Sequence, residues 1–554
     1  MKRIFHILLP MFGAGELLKN ILMGILSGVL SFLFINCVTH VIGLIIAGNY
    51  KNIDVKYIAI FASVIFLFIL VRRILSMAII KLSQTLFWSL RKQILSSVLH
   101  ADYPKLLARK IRINAAVVSD VYTLTEASTS IILFFTSLIL GLACMVYLAS
   151  ISLILFGITL VVASTGIIVY QFSARENSLL FEKSRSLENK FLENFNSILN
   201  GFKEIYLEPK KGKYIYEHKI DDVSKEAFKN STAAYTGFLN NQITGQVLFY
   251  ILISSVVLVL SIFLNIKPQD TVSFVFTLLY LLNSIETIMV SLPSLMRAKV
   301  AATHLMDLKS ELESAEGHQR LPLRYILKDE FEQIRIKDLE FRYESKDAAF
   351  EIGPIDLEIK KGEAIFIYGG NGSGKTTFVH ALLGLRIPTD GNIFLNETHV
   401  TESNYSDYRS AFSAIFSDFY LFNELLSVEE PDLDKWNFYI NLFELEGKVH
   451  IENNQFSTTD LSTGQRKRLA LIAVLMEEKP VLVLDEWAAD QDPYFRKKFY
   501  TIILPILKEE GITIIAITHD DKYYHCANKL YKMEYGKLIE EDVLIHSSSI
   551  IIKN

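Results

Sequence analysis

Gly369-Gly370-Asn371-Gly372-Ser373-Gly374-Lys375-Thr376 follows the pattern G-x-x-x-x-G-K-[ST]. Glycines at this spacing let the backbone curl so that successive N–H groups face one anion. Lys375 can then bridge the terminal phosphates of a nucleoside triphosphate, and Thr376 can ligate Mg²⁺. The apolar run Ala364 to Tyr368 precedes the loop, and the helix-compatible run from Thr377 to Leu383 follows it. A helix N-terminus at that point favours bound phosphate. A glycine-rich turn without nucleotide is the plain alternative, and the strand and helix on either side argue against it. A second centre lies at Val481-Leu482-Val483-Leu484-Asp485-Glu486. Asp485, ending an apolar strand, is suited to hold Mg²⁺, and Glu486 to polarise an attacking water. Two adjacent carboxylates in that setting are costly without a cation or proton partner.

The elements that must position these residues occupy only part of the chain. With 554 residues, the protein is too long for one ordinary core, which stops growing near roughly 250 to 300 residues. Hydrophobic residues make up 51% of the sequence and are concentrated in the first three hundred positions. A net charge of -4 supplies no basic face for a nucleic-acid partner. Cys37, Cys144 and Cys526 read as unpaired thiols rather than a disulfide framework. The basic opening Met1-Lys2-Arg3 has no small-residue cleavage site, so a removed signal peptide is not expected.

A helix needs about 20 mostly apolar residues to cross a bilayer. Stretches near 18–47, 57–80, 131–150, 153–170, 247–264 and 272–292 qualify. Connections after the first, third and fifth are short. Those after the second and fourth are long and helical in pattern, and they carry Arg91, Lys92, Lys105, Arg109, Lys110 and Arg112, then Lys203, Lys210, Lys211, Lys213 and Lys219. The positive-inside tendency assigns both to the cytoplasm. Hydropathy collapses after Arg297 and Lys299, and Glu311, Glu313, Glu316, Gly317 and His318 read as a solvated linker. The expected organisation is a membrane domain over 1–300, a linker over 301–330 and an ATPase domain over 331–554. In the last part, strands that alternate with period two, or are fully apolar, interleave with helices, which indicates a three-layer α/β fold.

Between the two chemical centres, Leu461-Ser462-Thr463-Gly464-Gln465 resembles the signature segment of ABC ATPases, with Thr463 beside the usual last glycine. Alone it could be a polar helix cap. In this order with the other motifs, the chain resembles a half-size ABC exporter: an all-α polytopic membrane domain of six transmembrane helices fused to an α/β P-loop ATPase domain. That resemblance implies ATP and Mg²⁺ as cofactors, with the signature segment lying across the nucleotide from the P-loop of a second subunit. It also implies that Tyr343 stacks on adenine, His519 contacts the terminal phosphate, and Asp492 belongs to the loop through which paired sites communicate. One motor cannot complete such a sandwich and this chain retains all the parts, so a second copy of the same chain is the expected partner; a sister half-transporter is the other way to complete it. Long loops around Tyr103 to Arg112 and Glu208 to Tyr216 are the expected coupling helices.

Two motor segments narrow the resemblance. Leu484 to Pro493, with Trp487 where most relatives have proline, and Phe412 to Phe419 look like the bacterial cyclic-peptide and siderophore-peptide exporter group. That implies export of a peptide-like or other small molecule across the bacterial inner membrane. A lipid flippase or multidrug exporter is the rival within transport, and an ATP-switched sensor the rival outside it; a sensor would be marked by a missing catalytic glutamate, and Glu486 is present. Ser417 stands where most ABC proteins carry the glutamine that reports Mg²⁺ to the membrane domain. Asp418, or a water held by Ser417, is expected to serve instead. In the membrane half, Glu286 and Arg72 each lie fifteen residues into a helix entering from outside, so they sit at similar depth. A charge pair there would mark the substrate path; helices that run on into the cytoplasm would leave both merely solvated.

Overall fold

The computed structural model of the protein describes residues 14–46, 55–313, 326–342 and 350–543, in two compact units. One unit holds the described residues up to Val98 together with Arg109–Glu313. The other holds Leu99–Ala108 and the described residues from Ile326 onward.

The first unit is helical: α1 (Ala14–Ile46), α2 (Val55–His100), α3 (Tyr103–Ala115), α4 (Val121–Ile151), α5 (Leu153–Asn200), α6 (Asp221–Ser255) and α7 (Pro268–Glu313). Six stretches are long and apolar enough to cross a membrane. α2, α5 and α7 run to 46, 48 and 46 residues. At about 1.5 Å of rise per residue each far exceeds the ~30 Å of hydrocarbon it must cross. The helices therefore continue beyond the bilayer, where their sequence turns polar. α4 packs mainly on α7, and α5 on α6. Cys144, Leu148, Leu155, Phe249, Leu252 and Phe274 are buried between them. Phe66, Val146, Leu153 and Phe172 remain 69 to 84% exposed, as a lipid-facing surface requires.

The polar ends are tied by charge. Arg185 donates to Asp120 at 2.7 Å and to Glu188 at 2.6 Å, with Arg185 and Asp120 both largely buried. Arg109 and Arg112 both reach Glu311. This changes the reading of the linker: Ala301, Ala302, Leu305, Leu308 and Leu312 are buried on α7, so 301–313 continues the helix. Of the charged residues that suggested solvent, Glu311 is half-buried and pairs with Arg109 and Arg112. Residues 314–325 fall outside the described set.

In the second unit, strands β1 (Gln333–Arg342), β2 (Glu351–Lys360), β3 (Ala364–Tyr368), β4 (Asp390–Leu395), β5 (Thr398–His399), β6 (Phe412–Ile415), β7 (Ile451–Glu452), β8 (Gln455–Phe456), β9 (Val481–Asp485), β10 (Thr513–Ile517), β11 (Lys529–Glu534) and β12 (Lys537–Glu541) form three sheets. The antiparallel sheet runs β2-β1-β4-β5, the small one pairs β7 with β8, and the central one runs β12-β11-β3-β10-β9-β6. In the central sheet β11, β3, β10, β9 and β6 are parallel neighbours. Alternate side chains of a strand face opposite ways. Phe366, Leu482, Leu484, Ile514 and Ala516 thus enter one core, and Ile365, Ile367, Val483, Ile515 and Ile517 the other. Burial on both faces explains why β3, β9 and β10 are continuous apolar runs. It also aligns the C-terminal ends of β3 and β9, where phosphate and acid chemistry were expected. Phe366 is 0% exposed, so Phe366→Ala is expected to cost about 3 to 5 kcal/mol, read as a lowered thermal midpoint of the full-length protein in detergent; an unchanged midpoint would contradict the assigned core.

Candidate functional site

The loop Gly369–Gly374 joins β3 to α8 (Lys375–Leu382). Gly374 has φ +112°, and a Cβ there would lie 2.8 Å from Ile352 Cγ2. A Cβ on Gly369 would meet the Met533 carbonyl at 2.2 Å. Both positions therefore demand glycine, and the loop shape follows from them. Lys375 is 7% exposed, and its ammonium donates to the Gly369 and Gly370 carbonyls at 2.9 and 3.0 Å. That holds the cation over the loop mouth. Thr376 is exposed beside it, Asn371 is exposed, and Ser373 and Thr377 are half-buried.

Asp485 ends β9 and is 2% exposed. Burial first, then the Glu486 charge, pushes its carboxyl above the usual carboxylate range; the Ser417 backbone N–H and the Lys375 charge oppose the shift. A dehydrated carboxylate at the end of β9, with the Thr376 hydroxyl exposed at the start of α8, offers the oxygen donors a hard cation takes. Glu486 follows with φ +51°. Its N–H is held by the Ile517 carbonyl at 3.1 Å, and its carboxylate lies 3.3 Å from His519 Nε2. The catalytic candidates Glu486 and His519 are thus brought together at the ends of adjacent strands.

The signature segment caps α9 (Thr463–Leu475). Ser462 accepts from the Gln465 N–H and Gln465 returns a bond to the Ser462 N–H, a reciprocal cap. Ser462 and Thr463 are exposed, while Leu461, Gly464 and Gln465 are half-buried. One turn further on, Lys467 is 2% exposed, donates to the Glu486 carbonyl at 3.2 Å and pairs with Asp490 at 2.7 Å. Trp487, 1% exposed, donates its indole N–H to the Lys467 carbonyl at 2.9 Å and packs on Phe499. The signature helix is therefore bound to the backbone of the acidic centre. Sequence reading named neither Lys467 nor the role of Trp487: Lys467 lies two residues after Gln465, between Arg466 and Arg468, and nothing in that basic run marks it as buried. Asp492 accepts from the Phe495 N–H at 2.9 Å, capping helix α10 (Pro493–Lys498), and its other oxygen accepts from Arg468 at 2.9 Å. In this chain those bonds account for its carboxylate. Gln491, buried, links Arg468 to the Gly464 carbonyl instead.

The Ser417 backbone N–H favours the ionised form of Asp485, and the Ser417 side chain is exposed, as is that of Asp418. Tyr343 lies outside the described residues. The expected charge pair in the membrane half does not form: Glu286 accepts from Gln246 at 2.6 Å, and Arg72 is exposed. Equal depth was the only basis for pairing them, and α7 packs chiefly on α4, α1 and α6 rather than on α2. All three cysteines are free.

A P-loop, an acid pair and a signature helix on a parallel sheet, in a chain with six membrane-capable helices, define an ATP-hydrolysing membrane transporter. The family model described as ABC transporter matches residues 352–489. The chain is 33% identical over 408 residues to the ATP-binding protein SyrD of Pseudomonas syringae pv. syringae, covering 71% of this chain and 72% of that one. The energy-coupling factor transporter ATP-binding protein EcfA1 of Staphylococcus aureus strain bovine RF122 / ET3-1 is 27% identical over 228 residues, 40% of this chain and 84% of its own. The structure of a bacterial Atm1-family ABC exporter with ATP bound superposes with a TM-score of 0.77 at 14% identity, covering 97% of this chain and 96% of that one. The protein belongs to the ABC transporter family and is an ATPase fused to a multi-pass membrane domain.

Trp487→Phe keeps most of the packing and removes the N–H that holds the Lys467 carbonyl. The expected loss is about 1 kcal/mol, a drop of roughly 2 to 4 °C in thermal midpoint for a domain of this size, with ATP affinity unchanged. An unaltered midpoint would show that the indole hydrogen bond carries no stability.

Proposed function

We propose that the protein is one half of a homodimeric exporter of the bacterial inner membrane that moves a peptide-like substrate by alternating access. The observation that carries the dimer is the exposure of both the P-loop mouth and the capped start of α9, with no hydrogen bond or ring contact between them among the described residues. Each would meet its counterpart on a second copy, so that two nucleotides lie between two motors.

Within one site, the loop N–H groups and Lys375 bind the β- and γ-phosphates, and Gly374 keeps the loop close to them. Mg²⁺ would be held by Thr376 and Asp485, and when bound supplies the charge that neutralises the phosphates. Glu486, fixed by its left-handed backbone, takes the proton of the attacking water, and His519 holds the carboxylate in place and reaches the terminal phosphate. Membrane helices running unbroken into the cytoplasm suit transmission of motor closure across the bilayer.

The substrate class rests on the two motor segments from Leu484 and from Phe412, and on two cavities. One, about 370 Å³, is lined by Leu138, Leu142, Met145, Phe249, Ile288 and Met289. The other, about 330 Å³, lies among Asp120, Glu126, Arg185, Glu188, Tyr235 and Arg297. Both are of ligand size. An apolar chamber and a polar one suit a molecule with both characters, as an amphipathic peptide has. The apolar chamber taken alone would equally suit a lipid. Glu486→Gln is expected to cut ATP hydrolysis by about 10²- to 10⁴-fold while ATP binding persists. Mass spectrometry of medium from parent and variant cells should then show a peptide-class molecule lost from the variant. An unchanged medium, or a change confined to membrane lipids, would contradict the peptide reading.

A further inference from the structure

The side chains of Glu486 and His519 are 39 and 49% exposed, so burial alone does not fix the 3.3 Å between them. Their placement must come from the backbone on either side. Thr518 and Asp520 bracket the histidine, and a closed ring of hydrogen bonds joins them through Tyr500, which lies in the helical turn Phe499–Ile503 that follows α10. The Asp520 N–H donates to Thr518 Oγ1 at 3.1 Å. The Thr518 and Tyr500 hydroxyls are 2.7 Å apart, and the Tyr500 hydroxyl donates to Asp520 Oδ2 at 3.0 Å. Because the one phenol proton is committed to the carboxylate, Thr518 is the donor to Tyr500. Tyr500 and Thr518 are 1 and 4% exposed, and Tyr523 stacks on the Tyr500 ring with centroids 4.5 Å apart and planes at 15°. Burial first, then the Asp520 charge, pushes the Tyr500 phenol well above its usual range, so its proton stays in the ring of bonds.

Arg496, on α10, joins this ring to the segment that carries the other member of the pair. One terminal nitrogen of its guanidinium donates to Asp520 Oδ1 at 3.1 Å, and the other donates to the Ala489 and Gln491 carbonyls at 3.0 and 3.1 Å. Ala489 belongs to the turn that starts at Glu486, and its own N–H reaches the Glu486 carbonyl at 3.3 Å. We infer that Arg496 and Tyr500 are positioning residues for hydrolysis: Tyr500 closes the ring that sets the backbone at His519, and Arg496 sets that ring against the turn carrying Glu486. A guanidinium suits this task because its donors form a rigid planar fork, whereas a lysine ammonium is a point charge on a flexible stem. Neither side chain acts on the nucleotide directly. Each holds His519 beside the Glu486 carboxylate, so each governs the rate of hydrolysis rather than the binding of ATP, which the P-loop between β3 and α8 supplies. The inference rests on the catalytic roles proposed for Glu486 and His519.

Steady-state ATP hydrolysis by the full-length protein in lipid nanodiscs tests this, with kcat counted per site that binds ATP so that unfolded chains do not enter it. The variants are Tyr500→Phe, which keeps the stacked ring and removes only the hydroxyl, Arg496→Gln, which removes the fork, His519→Ala, and each of the first two combined with His519→Ala. Tyr500→Phe and Arg496→Gln should each lower kcat by about 10-fold or more, within the ~10²-fold that misplacing a reacting group by an ångström can cost, while the KM for ATP stays at the parental value. Because both residues act through the histidine, neither should lower kcat further when added to His519→Ala, as holds for groups that work as one unit. Unchanged kcat in the single variants, a raised KM with kcat intact, or losses that multiply in the combined variants would overturn the positioning role and leave His519 catalytic. A His519→Ala chain with the parental kcat would overturn the catalytic role of the histidine and the inference with it.

Discussion

The motor is organised around one costly group. Asp485 ends a strand whose every residue is buried, and a second carboxylate follows it directly. Removing a carboxylate from water is expensive unless a cation or several donors compensate. The surrounding residues read as the means of compensation. The Lys375 ammonium, held over the loop, and the Ser417 backbone N–H favour its ionised form, and the backbone at Glu486 turns left-handed, with the second carboxylate 3.3 Å from His519 Nε2. Lys467 and Trp487 bind the same turn to the signature helix. Bound ATP would meet all of these elements at once, since they converge on the ends of β3 and β9.

The membrane half obeys a different constraint. Inside hydrocarbon every backbone polar group must be paired within its own element, so the spans are helices, and nothing obliges them to stop at the bilayer surface. Arg185 with Asp120, and Arg109 and Arg112 with Glu311, hold the emergent ends together.

Much of this could be read from the sequence because local chemistry allows few alternatives. The glycines at 369 and 374 have no substitute where a Cβ would strike the Met533 carbonyl or Ile352, and alternation in β3, β9 and β10 follows from burial on two faces. Six apolar stretches are likewise a direct imprint of bilayer thickness. What failed depended on adjacency in space. Glu286 and Arg72 share a depth but not an interface. The segment 301–313 looks solvated because only its charged face was weighed, whereas Leu305, Leu308 and Leu312 are buried on the other.

The central claim is that hydrolysis occurs in a site shared by two copies, with the P-loop of one facing the signature helix of the other. Co-reconstitution of a Lys375→Ala chain with a Ser462→Arg chain addresses it directly, since each alone has no complete site of either kind. A shared site predicts that the mixture regains ATP hydrolysis, because mixed dimers contain one intact P-loop opposite one intact signature segment. If each chain hydrolyses ATP within itself, the mixture will be as inactive as its components, and the account will be wrong.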